Sequence, residues 1–347
     1  MLRRRNEELV AVTPLGGYIA LAYAGSWILW LPALLGRKNL GLLPYELPVA
    51  TSVVLNQLAL FAGPFLASLV MTRLTTGSLK NWTASLLRWR VPPVAYLLAL
   101  VAIPAAVIAV LAILPGETAG GPELAGPALV IAPLVMGVAY LIGGPLQEEV
   151  GWRGFALPRL QERTSPLPAA VILGIVWGGW HLPLFLIAEW ETPHRDVGDL
   201  LAFLAFTVAA SIVLSWITNT ARGSVLLAIL AHNAINWALS VWEKATGQKV
   251  TSLWPAVLGL AVLAVIAVAV TRGRLGHRSA QRSQRAETGT LQKPGPILTV
   301  LGCMFKTMPP RKRSPIRSLS FFRCVKCSDL GVWVALTSNP QTRPSAE

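Results

Sequence analysis

The sequence predicts an all-α, polytopic membrane protein with about eight transmembrane helices, and two observations support this fold class. Hydrophobic residues make up 54% of the 347 residues and charged residues only 13%, whereas soluble proteins carry about 25% charged residues. The hydrophobic residues form separate runs of about 20 residues, the length at which an α-helix crosses the hydrocarbon core of a bilayer. An ordinary soluble domain is therefore excluded.

The predicted spans follow one another from the N-terminus. The first run is too long for the core of a signal peptide and has no clear small-residue cleavage site after it, so it is predicted to be retained. The eight predicted spans are residues 15–35, 48–71, 92–114, 127–146, 167–187, 200–217, 225–242 and 253–270. An even number of spans leaves both termini on one side of the membrane.

Lysine and arginine are distributed unequally between the two sets of loops. The loops on the side of the N-terminus carry Arg73, Lys80, Arg88, Arg90, Arg153, Arg159, Arg163, Arg222, Arg272 and Arg274. The opposite loops carry Arg37, Lys38, Arg195, Lys244 and Lys249. By the positive-inside rule both termini are predicted to be cytoplasmic, with the protein in the cell membrane. The net charge of +14 is thus assigned to topology and a basic tail, and no nucleic-acid partner is expected.

The predicted organisation has five parts. They are a cytoplasmic N-terminus (1–14), the first three spans (15–119), a core of spans four to seven (120–243), the last span (244–275) and a basic tail (276–347). The tail is rich in Arg, Ser, Pro and Gln, so it is predicted to be disordered and cytoplasmic. It contains all three cysteines, and its Cys324-x-x-Cys327 pair lacks the second pair or the histidines of a zinc site.

Ionisable residues inside the spans are the candidate functional residues, because burying them in a membrane costs free energy. Glu148 and Glu149 follow the uncharged run 127–146, His181 lies within the fifth span, and His232 and Asn236 lie four apart in the seventh. Each has a purely structural interpretation. The acids would flank a helix end, His181 would bind a backbone carbonyl, and His232 with Asn236 would bond between helices. Together, however, these residues could offset their burial by converging on one cavity.

Helical geometry separates the two acids. Glu149 and Arg153 are four residues apart and share a helix face, so they are predicted to pair, while Glu148 is rotated by about 100° and is left available. Trp177 is expected on the face of His181, and the Gly174-x-x-x-Gly178 pattern predicts the close approach of a neighbouring helix.

This set of residues suits general-base hydrolysis, in which a carboxylate takes a proton from water and a His or Asn donor stabilises the oxyanion. Glu148, His181 and His232 could equally hold Zn²⁺ with an open position, although the sequence requires no cofactor. A proton-coupled transporter would also carry intramembrane acids, but the eight runs show no repeated halves.

The three motifs resemble those of the CPBP family, which contains the type II CAAX prenyl endopeptidases and the bacterial Abi and lysostaphin-resistance-like proteins. They are Glu148-Glu149-x-x-x-Arg153, Trp177-x-x-x-His181 and His232-x-x-x-Asn236, within residues 120–242. The resemblance implies an intramembrane protease bundle with a cytoplasm-facing catalytic cavity. The expected partners are the lipid bilayer and a substrate that is a peptide or a membrane-anchored protein, prenylated (CAAX-type) or of another kind.

The resemblance also implies a role for each position. Glu148 is the expected base with His181 assisting, His232 and Asn236 the expected oxyanion donors, and Glu149 and Arg153 the structural support. The family usually has Phe where this chain has Trp177, a change expected to narrow the substrate cavity without touching the chemistry. The resemblance leaves metal dependence open and favours a glutamate mechanism. The alternative is a non-enzymatic membrane scaffold or bacteriocin-immunity-type protein that uses the same polar cavity for binding.

Overall fold

The computed structural model describes residues 2–114, 116–117, 120–188 and 196–277, together with the two strands 323–326 and 333–336. Its first unit ends at Ser279, and the regular elements among its described residues are all helices. The helices are α1 (Leu2–Leu35), α2 (Val49–Leu60), α3 (Leu66–Thr76), α4 (Lys80–Leu86), α5 (Pro93–Leu97), α6 (Ile103–Ile113), α7 (Ala128–Ile142), α8 (Pro145–Gly151), α9 (Leu157–Gln161), α10 (Pro166–Trp180), α11 (Val197–Thr220), α12 (Val225–Thr246) and α13 (Trp254–Thr271).

Among the described residues, eight helical stretches are long and apolar enough to cross a membrane, which confirms the predicted number of spans. They are Pro14–Leu35, Val49–Thr76, Pro93–Ile113, Ala128–Gln161, Pro166–Leu186, Val197–Thr220, Val225–Thr246 and Trp254–Thr271. The protein is thus an integral membrane protein. Which side of the membrane each terminus occupies stays a prediction.

Single π-helical turns interrupt three of the spans, at Phe61–Phe65, Leu98–Ala102 and Trp152–Ala156. The first lies in the Phe-Ala-Gly-Pro-Phe segment, where Pro64 removes a backbone donor and kinks the helix. At Gly63, a methyl group would lie 2.8 Å from the carbonyl oxygen of Ala22. The first two spans therefore pack backbone to backbone at this kink.

The fourth span consists of two halves that meet at Gly143 and Gly144. The first, α7, contains no buried residue, and we call it the exposed half. The second runs from Pro145 to Gln161 through α8, a π-helical turn and α9, and we call it the buried half. Pro145 begins α8 at a position where its missing N–H costs no helical hydrogen bond. The predicted end of this span at residue 146 was wrong, because the mixed polarity after it hides the continuing helix.

Spans five and six pack closely against each other. A methyl group on Gly174 would lie 2.6 Å from Cα of Val208, and one on Gly178 would lie 2.6 Å from Oγ1 of Thr207. The close approach predicted from the small-residue pattern is therefore confirmed. Span five also ends its α-helix earlier than predicted, because Pro183 turns residues Leu182–Leu186 into a 3₁₀-helix.

The second unit comprises residues 280–347, of which the structure describes two strands. β1 (Arg323–Lys326) and β2 (Trp333–Leu336) pair antiparallel, with Cys324 opposite Ala335. Most of the tail lies outside the described residues, so its predicted disorder and the other predicted domain boundaries stay predictions.

Candidate active site

Glu148 lies on α8 with only 5% of its surface exposed, although nothing in its own helix compensates for its charge. Its Oε2 accepts a hydrogen bond of 2.6 Å from the indole Nε1 of Trp177, on span five. The simple interpretation of the two acids as flanks of a solvated helix end is wrong, because both are buried. The helical geometry had predicted that Glu148 is left available, but the indole of Trp177 is its partner.

Glu149 is fully buried and accepts two hydrogen bonds on the same oxygen. Arg153 donates from Nη1 at 2.8 Å, one helical turn later, and Nδ1 of His232 lies 2.9 Å away on span seven. The predicted pair with Arg153 is therefore confirmed. The contact with His232 was not predicted, because a contact between helices has no fixed sequence spacing.

His181 lies at the point where α10 ends. Its Nδ1 is 2.9 Å from the carbonyl oxygen of Trp177, which can only accept, so Nδ1 carries the proton and Nε2 the lone pair of the neutral ring. In His232 the carboxylate of Glu149 selects the same tautomer by accepting from Nδ1. Both imidazoles thus present Nε2 as the basic nitrogen when they are neutral.

Trp177 connects the three motifs. Its ring lies edge-to-face with His232 at 5.1 Å and with His181 at 6.0 Å between ring centroids. The guanidinium carbon of Arg153 lies 4.8 Å from the same ring's centre, and Glu148 holds its N–H. Three of the four predicted catalytic residues, Glu148, His181 and His232, are therefore gathered around one indole.

Asn236, the fourth predicted catalytic residue, follows His232 by one turn of α12. Its side chain is half-buried and makes no hydrogen bond to the residues that the structure describes. A half-buried amide that is not used within the fold is suited to binding a substrate group, but its role stays a prediction.

The neighbouring face of α12 holds the exposed half of span four. Nδ2 of Asn233 donates to the carbonyl of Gly137 at 3.0 Å, and Nε1 of Trp237 donates to that of Pro133 at 2.8 Å. Polar residues of span seven thus serve two purposes. His232 and Asn236 belong to the candidate site, as predicted, whereas Asn233 and Trp237 bind the backbone of α7, which was not predicted. The apolar stretch of α7 gave no sign that its backbone carbonyls are acceptors.

A metal ion would need at least three suitable side chains around one point. Within the described part of the chain, no three His, Cys, Asp or Glu side chains are grouped to hold one. Glu148, His181 and His232 surround Trp177 without forming such a group. The side-chain arrangement therefore does not fit a zinc site, and we derive no chemical step through a metal.

The central part of the chain is similar to known proteins. Residues 130–238 match the model of a family described as type II CAAX prenyl endopeptidase Rce1-like. A stretch of 92 residues, 26% of this chain, is 35% identical to a protein of Methanococcus maripaludis named CAAX prenyl protease 2. The stretch covers 34% of that protein, so the chain spans about a third of the curated relative that it matches. The resemblance seen in the three motifs is confirmed, since all three lie within the matched range.

Proposed function

We propose that this protein is an intramembrane endopeptidase, because residues 130–238 match the model of the Rce1-like type II CAAX prenyl endopeptidase family. The observation that carries the proposal is the buried carboxylate of Glu148, which lies with two histidines around one indole inside a membrane protein. Ionisable groups at such a depth are costly and mark functional sites. Structural support alone would account for Glu149 and Arg153, which neutralise each other, but not for Glu148.

Glu148 is the proposed general base. It takes one proton from a water molecule while the water oxygen bonds to the carbonyl carbon of the scissile peptide. His181, with its Nδ1 proton on the Trp177 carbonyl, would accept or return a proton at Nε2 in the same cavity.

The negative charge that develops on the carbonyl oxygen needs a donor. Asn236 offers its amide N–H, and His232 offers an N–H at Nε2 when the ring is protonated. Glu149 accepts from Nδ1 of His232 and thereby fixes the orientation of that ring. The intermediate then collapses, the C–N bond breaks, and Glu148 returns its proton to the leaving nitrogen. The products are a carboxylic acid and an amine, and the acid then gives its proton to solvent or to the amine.

The proposed substrate is a peptide bond in a membrane-associated protein or peptide, with a prenylated CAAX-type C-terminus as the first candidate. The relative's name, CAAX prenyl protease 2, supports this class. The location supports it too, because a site among apolar spans is accessible to a substrate that is itself held at the membrane. We further propose that the protein lies in the cell membrane with both termini in the cytoplasm, as the distribution of Lys and Arg indicates.

The test is cleavage of fluorogenic peptides, prenylated and unprenylated, by the purified protein in detergent. Glu148→Gln preserves the side chain's shape and an acceptor for Trp177 but removes the base, so it is expected to lower kcat by about 10² to 10⁴-fold. Glu162→Gln is the matched control, since it removes the same charge from an exposed position beyond the buried half. The same assay with a strong chelator added measures whether cleavage depends on a metal ion.

Two outcomes would contradict the proposal. One is a Glu148→Gln variant that cleaves as fast as Glu162→Gln. The other is a folded parent protein that cleaves none of the peptides, which would favour the non-enzymatic scaffold. In that case the biological effect of the protein would survive Glu148→Gln, because binding in the cavity does not require a base.

A further inference from the structure

We propose that Trp177 is a positioning residue for Glu148, an inference that rests on the proposed function in which Glu148 is the base. Its indole N–H holds one carboxylate oxygen, Oε2, and thereby directs the other, Oε1, to the water molecule. This differs from the expectation that the tryptophan at this position leaves the chemistry untouched. A phenylalanine, which the motif resemblance leads one to expect here, has no such donor.

The hydrogen bond between them is short and shielded. Nε1 of Trp177 lies 2.6 Å from Oε2 of Glu148, and the two residues are 2% and 5% exposed. Water therefore competes little for either atom, and a hydrogen bond to an ionised group is stronger than one between neutral groups. A glutamate side chain has three rotatable bonds, so a fixed donor at one oxygen restricts where the other can point.

The donor itself is held from several sides. The face of the indole lies 4.8 Å from the guanidinium carbon of Arg153, and its edge contact with His232 spans 5.1 Å. The backbone carbonyl of Trp177 accepts from Nδ1 of His181. One residue thus relates the orientation of the base to that of both histidines.

The second carboxylate oxygen, Oε1, lies beside Gly144. A methyl group added to Gly144 would be 3.2 Å from Oε1 of Glu148, closer than an ordinary van der Waals contact. The carboxylate therefore lies between the indole N–H on one oxygen and the Gly143–Gly144 junction on the other. Because Gly144 has no side chain, the space beside Oε1 is left open for the water molecule.

The sharpest test removes the donor and keeps the ring. Replacement of Trp177 by benzothienylalanine, in which sulfur replaces the indole N–H, preserves size and stacking, and Trp177→Phe is the simpler companion variant. We expect both to lower kcat by roughly tenfold or more, the loss typical of a hydrogen bond to a charged group, with KM unchanged. A role in packing alone would not predict this split between kcat and KM for the benzothienyl variant.

Trp152 provides the matched control. It is fully buried in the same region, and its Nε1 has no hydrogen-bond partner among the residues that the structure describes. The same two replacements at Trp152 are expected to keep kcat at the parent value. Benzothienylalanine at position 177 with the parent's kcat, or an equal loss at both positions, would overturn the proposal.

Different variants test this inference and the proposed function. Glu148→Gln tests the function, and the Trp177 replacements test the positioning role. If Glu148→Gln is as active as the parent, Glu148 is not the base, and both the proposed function and the positioning role are refuted. Loss of activity in Glu148→Gln together with full activity after the Trp177 replacements would leave the base in place and refute only the positioning role.

Discussion

The exposed half and the buried half of the fourth span are consecutive in the chain, yet they meet opposite surroundings. In the exposed half, Leu134 is 68% exposed and the whole of α7 lacks a buried side chain, so its apolar surface suits contact with lipid. In the buried half, Glu149 and Arg153 are enclosed completely by other helices. The comparison teaches that hydropathy decides where this chain crosses the membrane, whereas packing decides where it can hold charge.

The largest expected effect comes from breaking the ion pair in the buried half. Arg153→Met leaves Glu149 with an uncompensated buried charge, which costs about 3–5 kcal/mol. We expect a large loss of thermal stability in detergent, measured as the apparent unfolding temperature. Arg163→Met is the control, because Arg163 is exposed just beyond the buried half and should barely change that temperature. Equal effects of the two substitutions would refute the assignment of Arg153 to a closed interior.

A second, smaller effect comes from adding one methyl group to each half. In Gly151→Ala the new Cβ would lie 2.6 Å from the carbonyl oxygen of Pro64, and overpacking of this kind costs about 1–3 kcal/mol. In Gly137→Ala the nearest atom is Cδ1 of Trp237 at 3.5 Å, an ordinary contact. The first variant is therefore expected to unfold at lower temperature than the parent, and the second at an equal or higher one. A destabilised Gly137→Ala beside an unchanged Gly151→Ala would reverse the comparison.

The smallest effect comes from removing methyl groups from each half. Val150 is fully buried in α8, and Val150→Ala is expected to cost about 1–2 kcal/mol through lost burial and a small cavity. Val135 is 61% exposed on α7, so Val135→Ala should leave the unfolding temperature nearly unchanged. Because the chemical change is identical, any difference between the two reports burial alone. Equal unfolding temperatures would mean that the two halves are packed alike.

The number of spans and most of their limits could be predicted from the sequence, because each is a long apolar run between charged loops. The predicted limits were wrong where a helix continues through polar residues or ends within an apolar run. The helix after Gly144 continues to Gln161 although the segment is rich in polar residues, and α10 ends at Trp180 although the run remains apolar. Hydropathy registers neither the shielding of a polar helix by its neighbours nor the effect of Pro183 on the helix.

The site could be predicted in part. The pair formed by Glu149 and Arg153 follows from a spacing of four residues, which fixes two side chains on one helix face. The contacts from Glu149 to His232 and from Glu148 to Trp177 join different helices, and no spacing within one helix encodes them. Trp177 was therefore interpreted as a change of cavity size, while its indole N–H makes it a partner of the proposed base.

The most direct test of the central claim is the ratio of peptide-cleavage rates between the Glu148→Gln and Glu162→Gln variants, measured on the same folded preparations. The proposal of a glutamate base in the buried half predicts that the first variant is slower by about 10² to 10⁴-fold, while the second matches the parent. Equal rates in the two variants would contradict it and would show that the buried carboxylate of Glu148 has no part in the chemistry.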